Sequence, residues 1–454
     1  MTDAYIAVDY GAGSGRVIAG MINPHTGEVV MDEIHRFGNR QIRLGHHLYW
    51  DFLSLFEEMV TGLRLAVEKG YRIKSIGVDT WGVDFGLIDR RGNLLSNPVC
   101  YRDESTQPYP ERLASIRGGE SRHYAEAGIQ IMAINSVYRL MAMLDEQPDL
   151  LGIADKLLFM PDLFSYYLTG EPNVEYTIAT TSELLTATTR EWNLPLIKAL
   201  GLPEHLFGKI VMPGSVRGHL TEGMRRRIGV DYDVPVVAVG SHDTASAVYA
   251  SAADETPEGL TAFLSSGTWS LLGCVTSEPV LTEEARVAGL TNEGSADGRI
   301  TLLQNITGLW ILQRLMDEWK REGRGLSYDA LVKAAEESTY AEWFDVDDQA
   351  FTNPPVMGSA IEAWFIERGI TPPEGVGAVG RSVMMSLAKR YERGIRSLEA
   401  IVGKPVTKLN IIGGGSRNGL INRLTAEAAG VEVIAGPVEA TGIGSIMLQA
   451  RAVK

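Results

Sequence analysis

Apolar residues dominate positions 5–10, a turn of small residues follows at 11–15, and a second apolar run begins at Arg16. Another turn at 23–27 leads into 28–37, so the opening predicts three strands joined as an antiparallel meander. The period then changes. Phe52, Leu55, Phe56, Met59, Val60, Leu63 and Val67 recur every three or four residues, which predicts an amphipathic helix over 51–69 with Asp51 as its N-cap. Residues 74–79 read as a buried strand, making this stretch α/β with a mixed sheet.

The second half repeats the order. An apolar strand at 235–240 precedes Ser241, His242, Asp243 and Thr244, and a small-residue helix follows at 245–252. Strands at 260–264 and 270–275 flank the turn 265–268; a long helical pattern at 378–402 precedes a strand at 408–412 and three glycines. This repetition predicts two lobes with mixed sheets and a central cleft, residues 1–232 and 233–454. Between them, 104–229 holds helical stretches such as 136–144 without a repeat, which reads as an insertion shaping a specificity wall.

Composition narrows the class. The 454 residues exceed one ordinary core, and 45% hydrophobic with 22% charged is the balance of a water-soluble globular protein. A formal charge of −15 repels phosphate backbones and anionic lipid, which argues against nucleic acid or a membrane as partner. Residues 1–4 lack the basic start of a signal peptide, and no run is long and apolar enough for a membrane span. Cys100 and Cys274 fit no metal spacing, so the reading is a reduced, cytoplasmic compartment.

Five patterns carry candidate chemistry. In 9–16, Ala12, Gly13, Ser14 and Gly15 form a turn whose N–H groups suit an anion, Arg16 adds charge, and Asp9 at a strand end suits hydrated Mg²⁺. Residues 265–269 repeat that chemistry, and two such turns predict a polyphosphate gripped from both sides. Gly413, Gly414 and Gly415 bare a patch of backbone against which adenine can lie. Asp243, after a strand and at a helix start, suits a base that takes a proton from a substrate hydroxyl. Trp81, amid glycines and carboxylates at 77–86, suits a sugar platform. Plainer readings stand beside these: hairpin turns, helix caps at Asp243 and Asn418, and Trp81 in the core. Residues 375–380 match GxGxxG but follow prolines rather than an apolar strand, so the dinucleotide fingerprint fails, and no GxxxxGK[ST] exists.

Taken together and in order, 9–16, 77–85, 101–103, 241–244, 265–269, 305–310, 413–418 and 442–444 resemble the FGGY carbohydrate kinases, relatives of chaperone ATPases and actin. The resemblance implies a duplicated actin-like, ribonuclease H-like ATPase fold. The segments GVDTWGVDF and SHDTASAV point within the family to ATP-dependent phosphorylation of L-rhamnulose on its 1-hydroxyl. By carry-over, Asp243 is the catalytic base; Ala12 to Arg16, Thr268, Gln313 and Gly414 contact ATP; Gly82, His242, Thr244 and Asn305 contact the sugar; Asp9 organises Mg²⁺ through water. Relatives commonly continue beyond the equivalent of 442–446, which implies a difference in closure or in the C-terminal helix. A kinase for another ketose or polyol such as L-fuculose fits the same motifs, and a non-catalytic actin-like sugar sensor fits the fold.

Overall fold

The computed structural model describes residues 1–453, in two compact units. The first comprises Met1–Ala250, Thr276–Leu302 and Ala440–Lys454; the second comprises Ser251–Val275 and Leu303–Glu439. No helix among the described residues is long and apolar enough to cross a membrane. Cys100 and Cys274 are free and buried.

The first unit is organised by a six-stranded sheet in the order Ser215–His219, Pro235–Ala238, Tyr71–Thr80, Thr2–Tyr10, Ser14–Ile22, Val29–Gly38. The opening meander forms as its pattern predicts, and Thr2–Tyr10 also pairs in parallel with Tyr71–Thr80. Alternate residues serve opposite faces. Val17 meets the helix Phe52–Glu68, where a Cβ on Gly62 would lie 2.4 Å from Val17 Cγ2. Ile18 and Gly20 turn the other way, toward Ile446 of the helix Ala440–Ala452. Asp51 caps the Phe52–Glu68 helix by accepting from Ser54 N at 3.3 Å.

A single cut at 232 does not describe these units. Pro235–Ala238 pairs with Tyr71–Thr80 through Val236↔Ile76, so this strand belongs to the first sheet rather than opening the second, and Asp243 after it belongs to the first unit. Residues 104–229 contribute the edge strand Ser215–His219 as well as helices.

In the second unit, Gly259–Ser266 lies between Trp269–Thr276, antiparallel, and Val406–Ile412, parallel, with Glu432–Ala435 beyond. The 28-residue helix Gly375–Val402 packs on Tyr328–Glu337 and Gly419–Ala429. Its first residues are the GxGxxG match, and the glycines have a packing role: a Cβ on Gly377 would lie 2.6 Å from Ala334 O, and one on Gly380 2.8 Å from Leu331 Cδ1.

Candidate active site

In the first unit the chemistry gathers at strand ends. Asp9 and Asp79 close neighbouring parallel strands in register, and Asp9 faces Arg16 across the hairpin, where the two side chains form an ion pair. Asp243 starts the helix Asp243–Ser251. Thr244 N and Oγ1 donate to Asp243 Oδ1 at 2.6 and 3.2 Å, fixing one carboxylate oxygen, while the side chain remains 32% exposed. Burial first, then the charge of Asp9, raises the Asp243 carboxyl above the usual carboxylate range, with His242 opposing. A raised proton affinity makes a carboxylate a stronger base.

Asp79 is fully buried, and neither of its oxygens has a hydrogen-bond partner among the described residues. Burial, followed by the charges of Asp9 and Asp243, pushes its carboxyl well above the ordinary range. So dense a set of acids suits a cation. Among the described residues no three such side chains are close enough to ligate one metal directly.

The turn after the first strand is held from one side. Asn39 Nδ2 donates to Gly11 O at 2.9 Å, Asn39 N to Gly13 O at 3.1 Å, and Gln41 Nε2 to Ala12 O at 3.3 Å. In a trans peptide the next N–H points opposite to the carbonyl, so the N–H groups of Ala12, Gly13 and Ser14 face away from these donors.

A second cluster surrounds Gly82. A Cβ there would lie 3.2 Å from Thr181 Cγ2 and 3.3 Å from His242 Nε2, so the glycine keeps space open beside the imidazole. The next residue, Val83, holds φ +68°, a strained backbone secured by Val83 N donating to Thr181 Oγ1 at 3.0 Å and Ser136 Oγ donating to Val83 O at 2.5 Å. Thr181 and Ser136 both come from the 104–229 segment. His242 Nδ1 is ion-paired with Glu293 Oε2 at 2.9 Å, off the axis of a straight hydrogen bond, and Nε2 is 3.6 Å from Asp243 Oδ1. Burial would lower the pKa of His242, but Glu293 above all, then Asp243 and Glu175, outweigh it and push it up to about 9.

In the second unit three segments mesh around the turn after Gly259–Ser266. Leu309 N donates to Gly267 O at 2.8 Å, Trp310 N to Thr268 O at 3.1 Å, and Thr268 Oγ1 to Gln313 Oε1 at 3.1 Å. Gly308 permits this approach, since a Cβ would lie 2.6 Å from Gly267 O. Gly413, at φ +79°, and Gly415 sit against Ser266, whereas a Cβ on Gly414 would meet nothing within 4 Å. Of the three glycines, one alone presents open backbone.

Residues 4–250 match the N-terminal domain of the FGGY family of carbohydrate kinases, and residues 262–453 its C-terminal domain. The chain belongs to this family. As an FGGY carbohydrate kinase it is a sugar phosphotransferase, and sugar kinases of this family use ATP. It is 43% identical over 454 residues to a protein of Bacteroides thetaiotaomicron named rhamnulokinase, covering 100% of this chain and 91% of that one. A Klebsiella pneumoniae protein of the same name is 40% identical over 445 residues, covering 98% and 88%. The crystal structure of a ligand-bound xylulose kinase from Lactobacillus acidophilus superposes with TM-score 0.80 at 14% identity, over 99% of this chain and 89% of that one, which shows the shared actin-like fold.

Set within this FGGY kinase, the first unit brings together Asp9, Arg16, Asp243 and Thr244, and places Gly82 against His242. The second unit brings Thr268 to Gln313 and sets Gly413 and Gly415 on the strand before Thr268. Asn305 is exposed on the strand Ile300–Thr307. Trp81 does not form an open platform. It is 6% exposed, its ring centroid is 4.3 Å from that of Trp50, and both indoles donate to Asp84 Oδ2, at 2.9 Å from Trp81 and 2.6 Å from Trp50. Asp84 is thereby committed to the core, with burial pushing it up to about 7 against those donors. Asp79, read in the sequence among the carboxylates of a sugar platform at 77–86, instead repeats the Val-Asp strand ending of Asp9 and closes the neighbouring strand beside it. Glu293 escaped the sequence reading, because its partner is distant in sequence.

Proposed function

We propose that the chain phosphorylates L-rhamnulose on its 1-hydroxyl at the expense of ATP, giving L-rhamnulose 1-phosphate and ADP. The observation that carries this reading is the name shared by the relatives matching 98–100% of the chain. Asp243 is the base: its partly open carboxylate accepts the hydroxyl proton as oxygen attacks the terminal phosphorus. Gly82, His242, Thr244 and Asn305 bind the sugar. The turn from Ala12 to Arg16 takes phosphate oxygens, and Thr268, Gln313 and Gly414 bind the nucleotide. Asp9 holds Mg²⁺ through water; when bound, the ion offsets phosphate charge. Expulsion of water favours transfer over hydrolysis. Two free cysteines support a reducing, cytoplasmic setting.

The test is ADP release with MgATP and a panel of L-rhamnulose, L-fuculose, D-xylulose and glycerol. L-Rhamnulose is expected to give the highest kcat/KM, and a much better rival sugar refutes the assignment. Asp243→Asn is expected to lose about 10² to 10⁴-fold in kcat while keeping sugar binding. Near-normal turnover removes Asp243 from its role.

A further inference from the structure

Glu293 lies in the strand Leu290–Gly294, between two residues whose positions are fixed. Before it, Asn292 Nδ2 donates to Gly128 O at 2.9 Å and Val280 O at 3.0 Å, while its Oδ1 accepts from Val280 N at 2.7 Å. After it, Gly294 N donates to Thr180 Oγ1 at 3.0 Å, and a Cβ at that glycine would lie 2.6 Å from the Tyr176 ring. The acid between these anchors is itself 13% exposed and meets His242 Nδ1. The backbone of His242 is equally constrained: its N–H donates to Thr177 Oγ1 at 3.1 Å, and it bridges to Thr80.

A histidine ring has two nitrogens, and the partner of one decides what the other offers. With a carboxylate at Nδ1, the Nδ1–H stays on that side and Nε2 is turned to the space kept open by Gly82 and to Asp243 Oδ1. We propose that Glu293 is a positioning residue for phosphoryl transfer, holding His242 so that its Nε2–H donates to a hydroxyl of the bound sugar beside Asp243. The inference rests on the sugar-kinase reading and on His242 facing the sugar. The charged groups that face His242 are Glu293 from the strand Leu290–Gly294, Asp243 from the following helix, and Glu175 ahead of the helix Tyr176–Thr180. Thr181 and Gly82 add no charge. The charges that act most strongly on the ring are therefore negative, and Glu293 is the one that meets Nδ1.

The experiment measures kcat and KM for sugar and for ATP from pH 5.5 to 9 in wild type, Glu293→Ala and Glu293→Gln, with melting temperatures. Glu293→Ala is expected to lower kcat/KM for the sugar about 10- to 100-fold, the usual weight of a hydrogen bond to a charged group, and to leave the KM for ATP unchanged. Loss of the carboxylate also brings an alkaline limb near the ordinary histidine value, about pH 6.5. Glu293→Gln keeps an acceptor for Nδ1–H and is expected to recover most of the activity below that limb while retaining the limb. Sugar kinetics and pH profile as in wild type for both variants overturn the inference. So does a drop in melting temperature with sugar and ATP parameters falling together, the mark of a structural role. Failure of the wild type to phosphorylate any sugar overturns the functional reading instead, so the two failures are distinguishable.

Discussion

Gly415→Ala tests whether the glycines near the second unit's turn are there for packing. A Cβ on Gly415 lies 2.0 Å from Ser266 Oγ, 2.5 Å from Ser266 Cβ and 3.0 Å from Ser266 O. Rotation of the Ser266 side chain relieves the first contact only, because Cβ and O travel with the backbone. Carbon pairs rest at about 3.5–4.0 Å, so turn and strand end must separate by about 1 Å. The pairing of Ser265 with Ile412 opposes that separation. Overpacking of this kind costs about 1–3 kcal/mol, equivalent to a melting temperature lower by about 2–12 °C for a unit of this size. Thr268 moves with the strand end, so nucleotide affinity should fall as well. Ser266→Gly in the same chain removes both clashing side-chain atoms and should restore most of the loss, less the about 0.5–1 kcal/mol that glycine costs within a strand. Gly414→Ala is the contrast: its Cβ meets nothing within 4 Å, so stability should hold while the Kd for ATP rises. Scanning fluorimetry and titration calorimetry with a non-hydrolysable ATP analogue read both quantities. Wild-type stability and affinity in Gly415→Ala, or no rescue by Ser266→Gly, would refute the packing argument.

Two further substitutions probe the first unit. With a folded value near 7 against an ordinary one near 4, Asp84 takes up a proton on folding, so its contribution is fully present below about pH 4 and lost as pH rises through 7. Asp84→Asn keeps an acceptor for both indoles, and its stability relative to wild type by urea unfolding should rise between pH 4 and 8; an equal offset at both values would reject the assignment. Gly444→Ala puts a Cβ 1.9 Å from Ser246 O, a backbone atom, whereas Gly442→Ala meets the mobile end of Ile18 at 3.2 Å. The first should melt well below the second or fail to accumulate in soluble form, and equal melting temperatures would show that the two helices part easily.

What the sequence disclosed was local. The opening hairpin, the capped helix after Asp51 and the turn at 265–268 follow from short-range pattern and form as expected; Asn418 Oδ1 accepts from Ile421 N at 3.0 Å, the cap its position suggests. Pro235–Ala238 reads correctly as a strand, but its sheet is decided by Ile76, far upstream, and no periodicity carries that pairing. Trp81 among glycines looks like a binding platform until Trp50 and Asp84 enclose it. Gly442 and Gly444 belong to a family-like motif, and the reason for glycine there, contact with Ile18 and with the Ser246 backbone, exists only once distant segments meet.

The helix Ala440–Ala452 completes the first unit: Gln449 Nε2 donates to Ile6 O at 3.1 Å and its Oε1 accepts from Ser75 Oγ at 2.8 Å. During synthesis, the sheet made from the earliest residues must therefore wait for roughly 190 more to emerge after Ala250, some ten to forty seconds at ordinary elongation rates. Throughout that interval Ala7 and Ile18 lack Ile446, their eventual cover. A ribosome stalled in this window would display a half-clad apolar surface, which makes the nascent protein a natural client of chaperones that guard unfinished chains.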